Sequence, residues 1–252
     1  MSSAKPIDTP CTANIYLTIL FAPQTDEEKK YMTRVPYVST VGSLMYVMVC
    51  TRPDLTQAVS VVRRFMVQLG KEHRKSMKRI FRYLRGTFDV GFIYGGDTQC
   101  LIIGYLDSDY VGDVDSRRSM TSYVFTLRGS IFSWKETMQP TMTLSTTKAE
   151  YMALTEAVKK GIWLKGLISD LGLHQDQATF FCDILSVICL AKDQVHHEWT
   201  KNIDVRYHFL RTEKRIKVKN VGSTYNPVDM FIKPVPHSKF RHYLELLNVR
   251  NC

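Results

Sequence analysis

The chain has 252 residues, of which 44% are hydrophobic and 23% are charged. This composition is ordinary for a folded globular protein and excludes the disordered, collagen-like and disulfide-framework classes. Its 34 Lys and Arg residues outnumber its 24 Asp and Glu residues, and the net charge of +10 favours an anionic partner such as nucleic acid.

The longest apolar runs are Ile15–Ala22 and Leu44–Cys50, which are shorter than the roughly 20 residues that cross a bilayer, so no membrane span is predicted. The start of the chain lacks the charged-then-apolar order of a signal peptide. The six cysteines are scattered without a Cys-x-x-Cys pair, which is typical of free thiols in a reducing compartment rather than of a zinc site. We therefore expect an intracellular protein, cytoplasmic or nuclear.

The first 36 residues are predicted to be irregular because prolines interrupt them. Helical sequence runs from Ser43 to Gly86, with a break at Thr51–Asp54, where Pro53 is suited only to a first helical turn. One helix is predicted from Asp54 to Leu69 and a second from Glu72 to Leu84, each with an apolar stripe. The second helix carries a basic face, which by itself is simplest to interpret as a solvated surface. Its members include Lys75, Lys78, Arg79 and Arg82.

After Gly86 the sequence changes to short segments rich in β-branched and aromatic residues, separated by turn residues. This pattern predicts five strands. They are Val90–Tyr94, Leu101–Asp107, Ser122–Leu127, Ser130–Trp134 and Thr141–Ser145.

A long helix is then predicted from Thr146 to Leu171. The alternation of strands and helices continues to the end of the chain, which predicts a mixed α/β sheet. The remaining predicted elements are a strand at Thr179–Cys182, helices from Leu185 and over Ile203–Glu213, a strand at Ile216–Val221 and a terminal helix from Pro227.

Four acidic residues lie at the ends of apolar elements. Asp107 and Asp183 each follow a predicted buried strand, whereas Glu150 and Asp229 lie in the first turns of predicted helices. Buried carboxylates are costly unless they are paired or neutralised, and a divalent cation relieves the repulsion among several of them. Mg²⁺ prefers such oxygen ligands, and two ions about 3.5–4 Å apart can activate a water and stabilise the leaving oxygen of a phosphodiester. Spacing alone leaves open that each acid is an ordinary loop or helix-end residue.

Nine short stretches along almost the whole chain match one protein family in order and spacing. They are VGSLMY at 41–46, TRPD at 51–54, RYLRGT at 82–87, GYLDSD at 104–109, RRS at 117–119, LSTTKAEY at 144–151, CD at 182–183, KNIDVRYHF at 201–209 and NPVD at 226–229. Together they resemble the C-terminal part of copia-type LTR retrotransposon Pol polyproteins, which is the end of the reverse transcriptase followed by the RNase H domain.

The resemblance implies a reverse-transcriptase thumb and connection remnant at 1–89 and an RNase H-like domain at 90–252. That domain is a five-stranded mixed sheet flanked by helices. The implied activity is hydrolysis of the RNA strand of RNA–DNA hybrids, with two Mg²⁺ ions, or Mn²⁺ in their place. The implied partners are the hybrid and the polymerase and integrase portions of the same polyprotein, without a membrane.

Carried over position by position, the resemblance makes Asp107, Glu150, Asp183 and Asp229 the catalytic and metal-binding acids. Asp109 is the next candidate, since it shares a strand face with Asp107 if the strand continues that far. Beside a nuclease, basic residues become candidates for contacts to the phosphates of the hybrid. We expect such contacts from Lys75, Lys78, Arg79, Arg82, Arg117 and Arg118.

The chain has no Tyr-x-Asp-Asp run, the motif that holds the polymerase metals in this family, so residues 1–100 are not expected to polymerise. Ile184, Trp199, Asn202 and Ile232 replace residues that are usual in the family, while the four acids are kept. Two alternatives to a competent nuclease therefore stay open. One is a catalytically inactive remnant that binds nucleic acid, and the other is a fragment that neither binds nor cuts.

Overall fold

The computed structural model describes residues 4–12, 17–95, 101–173, 175, 178–183 and 216–251. Its first third is helical, and the predicted break is present because Pro53 begins a short 3₁₀ turn, Pro53–Leu55. Among the described residues, none of the helices is at once long and apolar enough to traverse a bilayer. The four helices of this part are α1 (Asp26–Thr33), α2 (Tyr37–Cys50), α3 (Thr56–Arg63) and α4 (Lys71–Gly86).

Three boundaries in this helical part differ from the prediction. Helix α1 lies in the stretch predicted to be irregular, and the Thr25 side chain caps it by accepting a hydrogen bond from the Glu28 N–H. Helix α2 begins directly after Pro36 rather than at Ser43. Helix α3 ends at Arg63 rather than at Leu69, so the predicted apolar stripe continues past the end of the helix.

Within the described residues, seven strands form two sheets. In the larger sheet the order is β4-β3-β2-β5-β6, where β2 is antiparallel to β3 and parallel to β5. This order confirms the predicted fold class, a five-stranded mixed sheet of the RNase H-like type flanked by helices. The strands are β1 (Val90–Phe92), β2 (Ile102–Asp113), β3 (Arg118–Leu127), β4 (Ser130–Met138), β5 (Ala178–Cys182), β6 (Ile216–Asn220) and β7 (Val249–Asn251).

Two predicted strands differ in the structure, one in its length and the other in being absent. The segment predicted at Val90–Tyr94 is shorter, and as β1 it pairs with β7 in a separate two-stranded sheet. The segment Thr141–Ser145 is a loop, because Ser145 serves as the N-cap of the long helix α5 (Thr146–Asp170). The loop therefore belongs to the entry of that helix and not to the sheet.

The end of the chain also differs from the prediction. The terminal helix is interrupted by Pro234 and Pro236, which separate α6 (Asp229–Ile232) from α7 (His237–Leu246). The helices predicted from Leu185 and over 203–213 lie outside the described residues.

Each face of the main sheet packs against helices. On one face, α5 packs closely against β2, where a Cβ at Gly161 would lie 2.5 Å from Phe180 and a Cβ at Gly104 would lie 2.8 Å from Phe125. The two glycines therefore allow the helix to sit close to the sheet. On the other face, Met120 and Val124 join a core that includes residues of α2, α3, α4, α6 and α7.

The same hydrophobic core contains residues from both sides of the predicted domain boundary at 89/90. Val59 and Ile80 from the helical part share it with Val124 and Tyr243 from the later part. The division into 1–89 and 90–252 stays a prediction, and hydrophobic packing continues across it.

A buried ion pair joins the break after α2 to the end of α4. Arg52 donates to Asp54 through Nε at 2.9 Å and Nη2 at 2.6 Å, and its Nη1 donates to the Thr87 carbonyl at 2.8 Å. The Tyr83 hydroxyl donates to the same Asp54 carboxylate at 2.6 Å. Because both charges are almost fully buried, removal of one leaves the other without a counter-charge.

We therefore expect Arg52→Met to lower the free energy of unfolding by about 3–5 kcal/mol, measured by urea denaturation. The control is Lys159→Met, which removes an exposed cation whose ion-pair partner Glu156 is itself 41% exposed, and it is expected to cost no more than about 0.5 kcal/mol. Equal losses in the two variants would contradict a structural role for the buried pair.

Candidate metal centre

Three of the predicted acids converge at one end of the sheet. Asp107, Glu150 and Asp183 present carboxylate oxygens that all lie within 4.8 Å of one another. Asp107 and Glu150 are 4% and 2% exposed, and Asp183 is half-buried. The protein thus collects three carboxylates in a space that is largely shielded from water.

The strand register brings Asp107 and Asp183 together. Strands β2 and β5 run parallel, and Tyr105 is paired with Phe181 at the end of their shared ladder. Each aspartate lies two residues beyond its member of that pair, so both reach the same edge of the sheet.

Glu150 is positioned by the start of α5. The buried Gln139 side chain donates to the Thr121 hydroxyl at 3.0 Å and to the Ala149 carbonyl at 2.8 Å, which ties the first turn of α5 to β3. The Glu150 Oε1 atom accepts from the backbone N–H and the hydroxyl of Ser108 at 3.0 and 2.9 Å. Glu150 is therefore held against β2 directly beside Asp107.

Asp229 is brought to β2 by a separate contact. The buried Asn226 amide donates to the Leu106 carbonyl at 3.0 Å, one residue before Asp107. Two lysines hold the Asp229 carboxylate, with Lys239 Nζ 2.9 Å from Oδ2 and Lys233 Nζ 2.9 Å from Oδ1. The fourth predicted acid thus lies at the same site but already has cationic partners.

The surroundings raise the pKa values of three of these acids and lower the pKa of the fourth. Burial raises the pKa of Glu150 to about 7, and burial together with the Glu150 charge raises the pKa of Asp107. Burial also raises the pKa of Asp183. Although burial opposes it, the hydrogen bonds from Lys239 and Lys233 lower the pKa of Asp229. A cation near the first three acids would stabilise their charged forms in the same way.

Two oxygens at the site favour such a cation. Glu150 Oε2 and Asp183 Oδ1 are buried, and neither has a hydrogen-bond partner in the described part of the chain. Unsatisfied buried carboxylate oxygens are costly. A donor set made only of carboxylates suits Mg²⁺ or Mn²⁺, which prefer oxygen ligands.

Asp109 lies further along β2, outside the group of three acids. It is half-buried, and burial raises the pKa of its side chain. Among the described residues, the three acids that approach one another are therefore the higher-ranked candidates.

The predicted nucleic-acid contacts divide into two groups. Lys75, Lys78 and Arg117 are exposed, and the ion pair of Lys75 with Glu72 is itself on the surface. The side chains of the other three each donate a hydrogen bond to another part of the chain. Arg79 donates to the Thr9 hydroxyl at 3.1 Å, Arg82 to the Lys5 carbonyl at 2.8 Å and Arg118 to the Gln139 carbonyl at 2.6 Å.

The lysines and amides that organise the site were not among the predicted site residues. Lys233 had a usable signal, since it follows Asp229 by four residues and such pairs face each other on a helix. Lys239 had none, because Pro234 and Pro236 interrupt the helix between it and Asp229. The roles of Gln139 and Asn226 depend on contacts to distant strands.

Comparison with known proteins gives the following. No model of a protein family matches the chain. The retrovirus-related Pol polyprotein from transposon TNT 1-94 of Nicotiana tabacum is 46% identical over 254 residues, which covers 100% of this chain and 19% of that protein. The Pol polyprotein from transposon RE1 of Arabidopsis thaliana is 30% identical over 254 residues, which covers 99% of this chain and 17% of that protein. The chain thus spans less than a fifth of these relatives.

Among solved structures, the LC11-RNase H1 isolated from compost is 16% identical with a TM-score of 0.40, and the match covers 51% of this chain and 89% of that one.

The convergence of buried acids predicts that removing one of their charges changes the stability of the protein. At pH 8 in EDTA, we expect Glu150→Gln to raise the free energy of unfolding by about 1–3 kcal/mol, because it removes one of several repelling buried charges. Thermal and urea unfolding measure the change, and Glu156→Gln on the exposed face of α5 is the matched control. A less stable Glu150→Gln protein would contradict the electrostatic interpretation.

Proposed function

Because the chain belongs to the retrovirus-related Pol polyproteins of copia-type transposons, we propose that it hydrolyses the RNA strand of RNA–DNA hybrids in a metal-dependent reaction. The observation that carries this proposal is the approach of Asp107, Glu150 and Asp183 to one another, with two buried carboxylate oxygens that have no hydrogen-bond partner among the described residues. Convergent carboxylates of this kind suit the binding of metal ions that act on a phosphodiester.

In this proposal Asp107, Glu150 and Asp183 hold the metal and Asp229 completes the set. Bound Mg²⁺ ions would supply an activated water and stabilise the leaving oxygen. Residues of the chain keep the ligands in place. Ser108 fixes one oxygen of Glu150 through two hydrogen bonds, so the free oxygen Oε2 keeps its direction.

Hybrid binding is assigned to exposed cations. Lys75 and Lys78 lie on α4, and Arg117 lies in the turn between β2 and β3. Lysine and arginine side chains in such positions bind the phosphate backbone, through which proteins recognise A-form duplexes. The polymerase and integrase portions of a longer polyprotein are the proposed protein partners.

The decisive experiment uses a fluorescently labelled RNA–DNA hybrid with Mg²⁺. We expect Asp107→Asn and Asp183→Asn each to reduce the cleavage rate at least about 10²-fold while hybrid binding is retained, because each removes a metal ligand. Glu156→Gln, an exposed acid on the same helix as Glu150, is the control and should cleave at the wild-type rate. Cleavage that survives in both aspartate variants would refute the assignment.

The same assay separates the alternatives. Binding of the hybrid without cleavage by the wild-type chain would favour a catalytically inactive nucleic-acid-binding remnant. A chain that neither binds nor cuts would favour the inert fragment.

The surface assignment has a test of its own in the salt dependence of hybrid affinity. We expect Lys75→Ala and Lys78→Ala each to weaken binding and to reduce the slope of log affinity against log salt by about 0.7–0.9, because each removes one phosphate contact. Lys159→Ala removes an exposed cation on α5 and should leave the slope unchanged. Identical slopes in all the proteins would argue against α4 as the binding surface.

A further inference from the structure

We infer that Lys233 is a built-in cation of the metal centre, which holds Asp107 and Asp229 together and must leave them before a divalent ion can bind between the two. This inference rests on the proposed function, since it concerns how the same site is occupied. It assigns to Lys233 a positioning role and a control over the number of ions bound.

The ammonium group of Lys233 bridges two of the acids. Lys233 Nζ lies 2.9 Å from Asp229 Oδ1 and 3.7 Å from Asp107 Oδ2. One ammonium group thus contacts a carboxylate from β2 and a carboxylate from α6. The other oxygens of the two acids already have partners, since the Ser108 N–H donates to Asp107 Oδ1 and Lys239 contacts Asp229 Oδ2. A divalent ion shared by the two acids would therefore compete with the Lys233 ammonium for the remaining oxygens.

The second step is the difference in burial along this bridge. The side chains of Asp107 and Asp229 are 6% and 1% exposed, whereas that of Lys233 is 48% exposed. The aspartates are therefore fixed by their surroundings, while the long lysine side chain reaches the site from the solvent side. Lysine can withdraw into water at little cost because its stem is flexible and its charge is strongly hydrated.

The third step is the contrast with Lys239. Its Nζ lies 2.9 Å from Asp229 Oδ2, and the Tyr243 hydroxyl donates to the same oxygen at 3.0 Å. In the described part of the chain, Lys233 is the one basic side chain within ion-pair distance of Asp107. Lys239 can therefore stay in place when Oδ1 of Asp229 takes a new partner, but Lys233 cannot.

The consequence is an ordered occupancy. Among the residues that the structure describes, the long contact of Lys233 with Asp107 is the one lysine ion pair of the group formed by Asp107, Glu150 and Asp183, so a first ion can bind there. The position between Asp107 and Asp229 becomes available only when Lys233 leaves. Without nucleic acid, we expect one divalent ion per chain.

The test counts bound Mn²⁺ in the full chain without nucleic acid, from the electron paramagnetic resonance signal of free Mn²⁺ during titration. We expect one ion in the wild-type protein and two in Lys233→Met, with Lys233→Gln as a second variant that removes the charge. Lys233→Arg, which keeps the charge and the reach, and Lys239→Met, which keeps the bridge, should each bind one ion.

Thermal unfolding provides a second readout that does not depend on cleavage. In EDTA, Lys233→Met should unfold at a lower temperature than the wild-type protein, because Asp107 and Asp229 lose their shared cation. Saturating Mn²⁺ should raise the midpoint of this variant more than that of the wild-type protein.

Two results would overturn the inference while leaving the proposed function intact. One is a single ion in both the wild-type protein and the two charge-removing variants, and the other is two ions in the wild-type protein. A chain that binds no Mn²⁺ in any variant would overturn both the inference and the proposed metal centre.

Discussion

The parallel register of β2 and β5 is the constraint from which the rest of the site follows. It fixes Asp107 and Asp183 side by side at one edge of the sheet, and α5 adds Glu150 to them. Like charges in a poorly hydrated space repel, so each additional acid must be neutralised or disfavoured as an anion. The protein uses both solutions, because the pKa of Glu150 is raised whereas Asp229 is paired with lysines.

The helical first third of the chain contributes to this site by packing against α6. That helix packs against α3, β2, β3 and the turn Pro53–Leu55, and it carries Asp229. Buried Glu136 on β4 adds a polar connection, since it accepts a hydrogen bond from Ser60 of α3 and lies near Arg63 and Arg64. The position of Asp229 and Lys233 therefore depends on helices far from them in sequence.

Features of the fold and the site were predictable from the sequence where they depend on residues close together in the chain. Apolar periodicity and acids at element ends are local signals, and they predicted most strands of the sheet and three acids that the structure brings together. The pairing of β1 with β7 joins residues about 160 positions apart, and Arg79 and Arg82 donate hydrogen bonds to residues of the segment 5–9. No local sequence pattern encodes such contacts. For that reason the sequence alone indicated that both arginines lie on a solvated basic helix face.

The positive charge of the chain shows why a net value does not measure a nucleic-acid surface. A substantial share of the cations stabilises the fold or the acid cluster, and these groups are partly or wholly withdrawn from solvent. The exposed cations that could contact a phosphate backbone lie on several elements, among them Lys75 and Lys78 on α4 and Arg117 between β2 and β3. Because ion release depends on the phosphates that are contacted, this set and not the formal charge of +10 fixes the salt dependence of binding. The cations that are at least partly withdrawn from solvent and contact another part of the chain include Arg52, Arg63, Arg64, Arg79, Arg82, Arg118, Lys233 and Lys239.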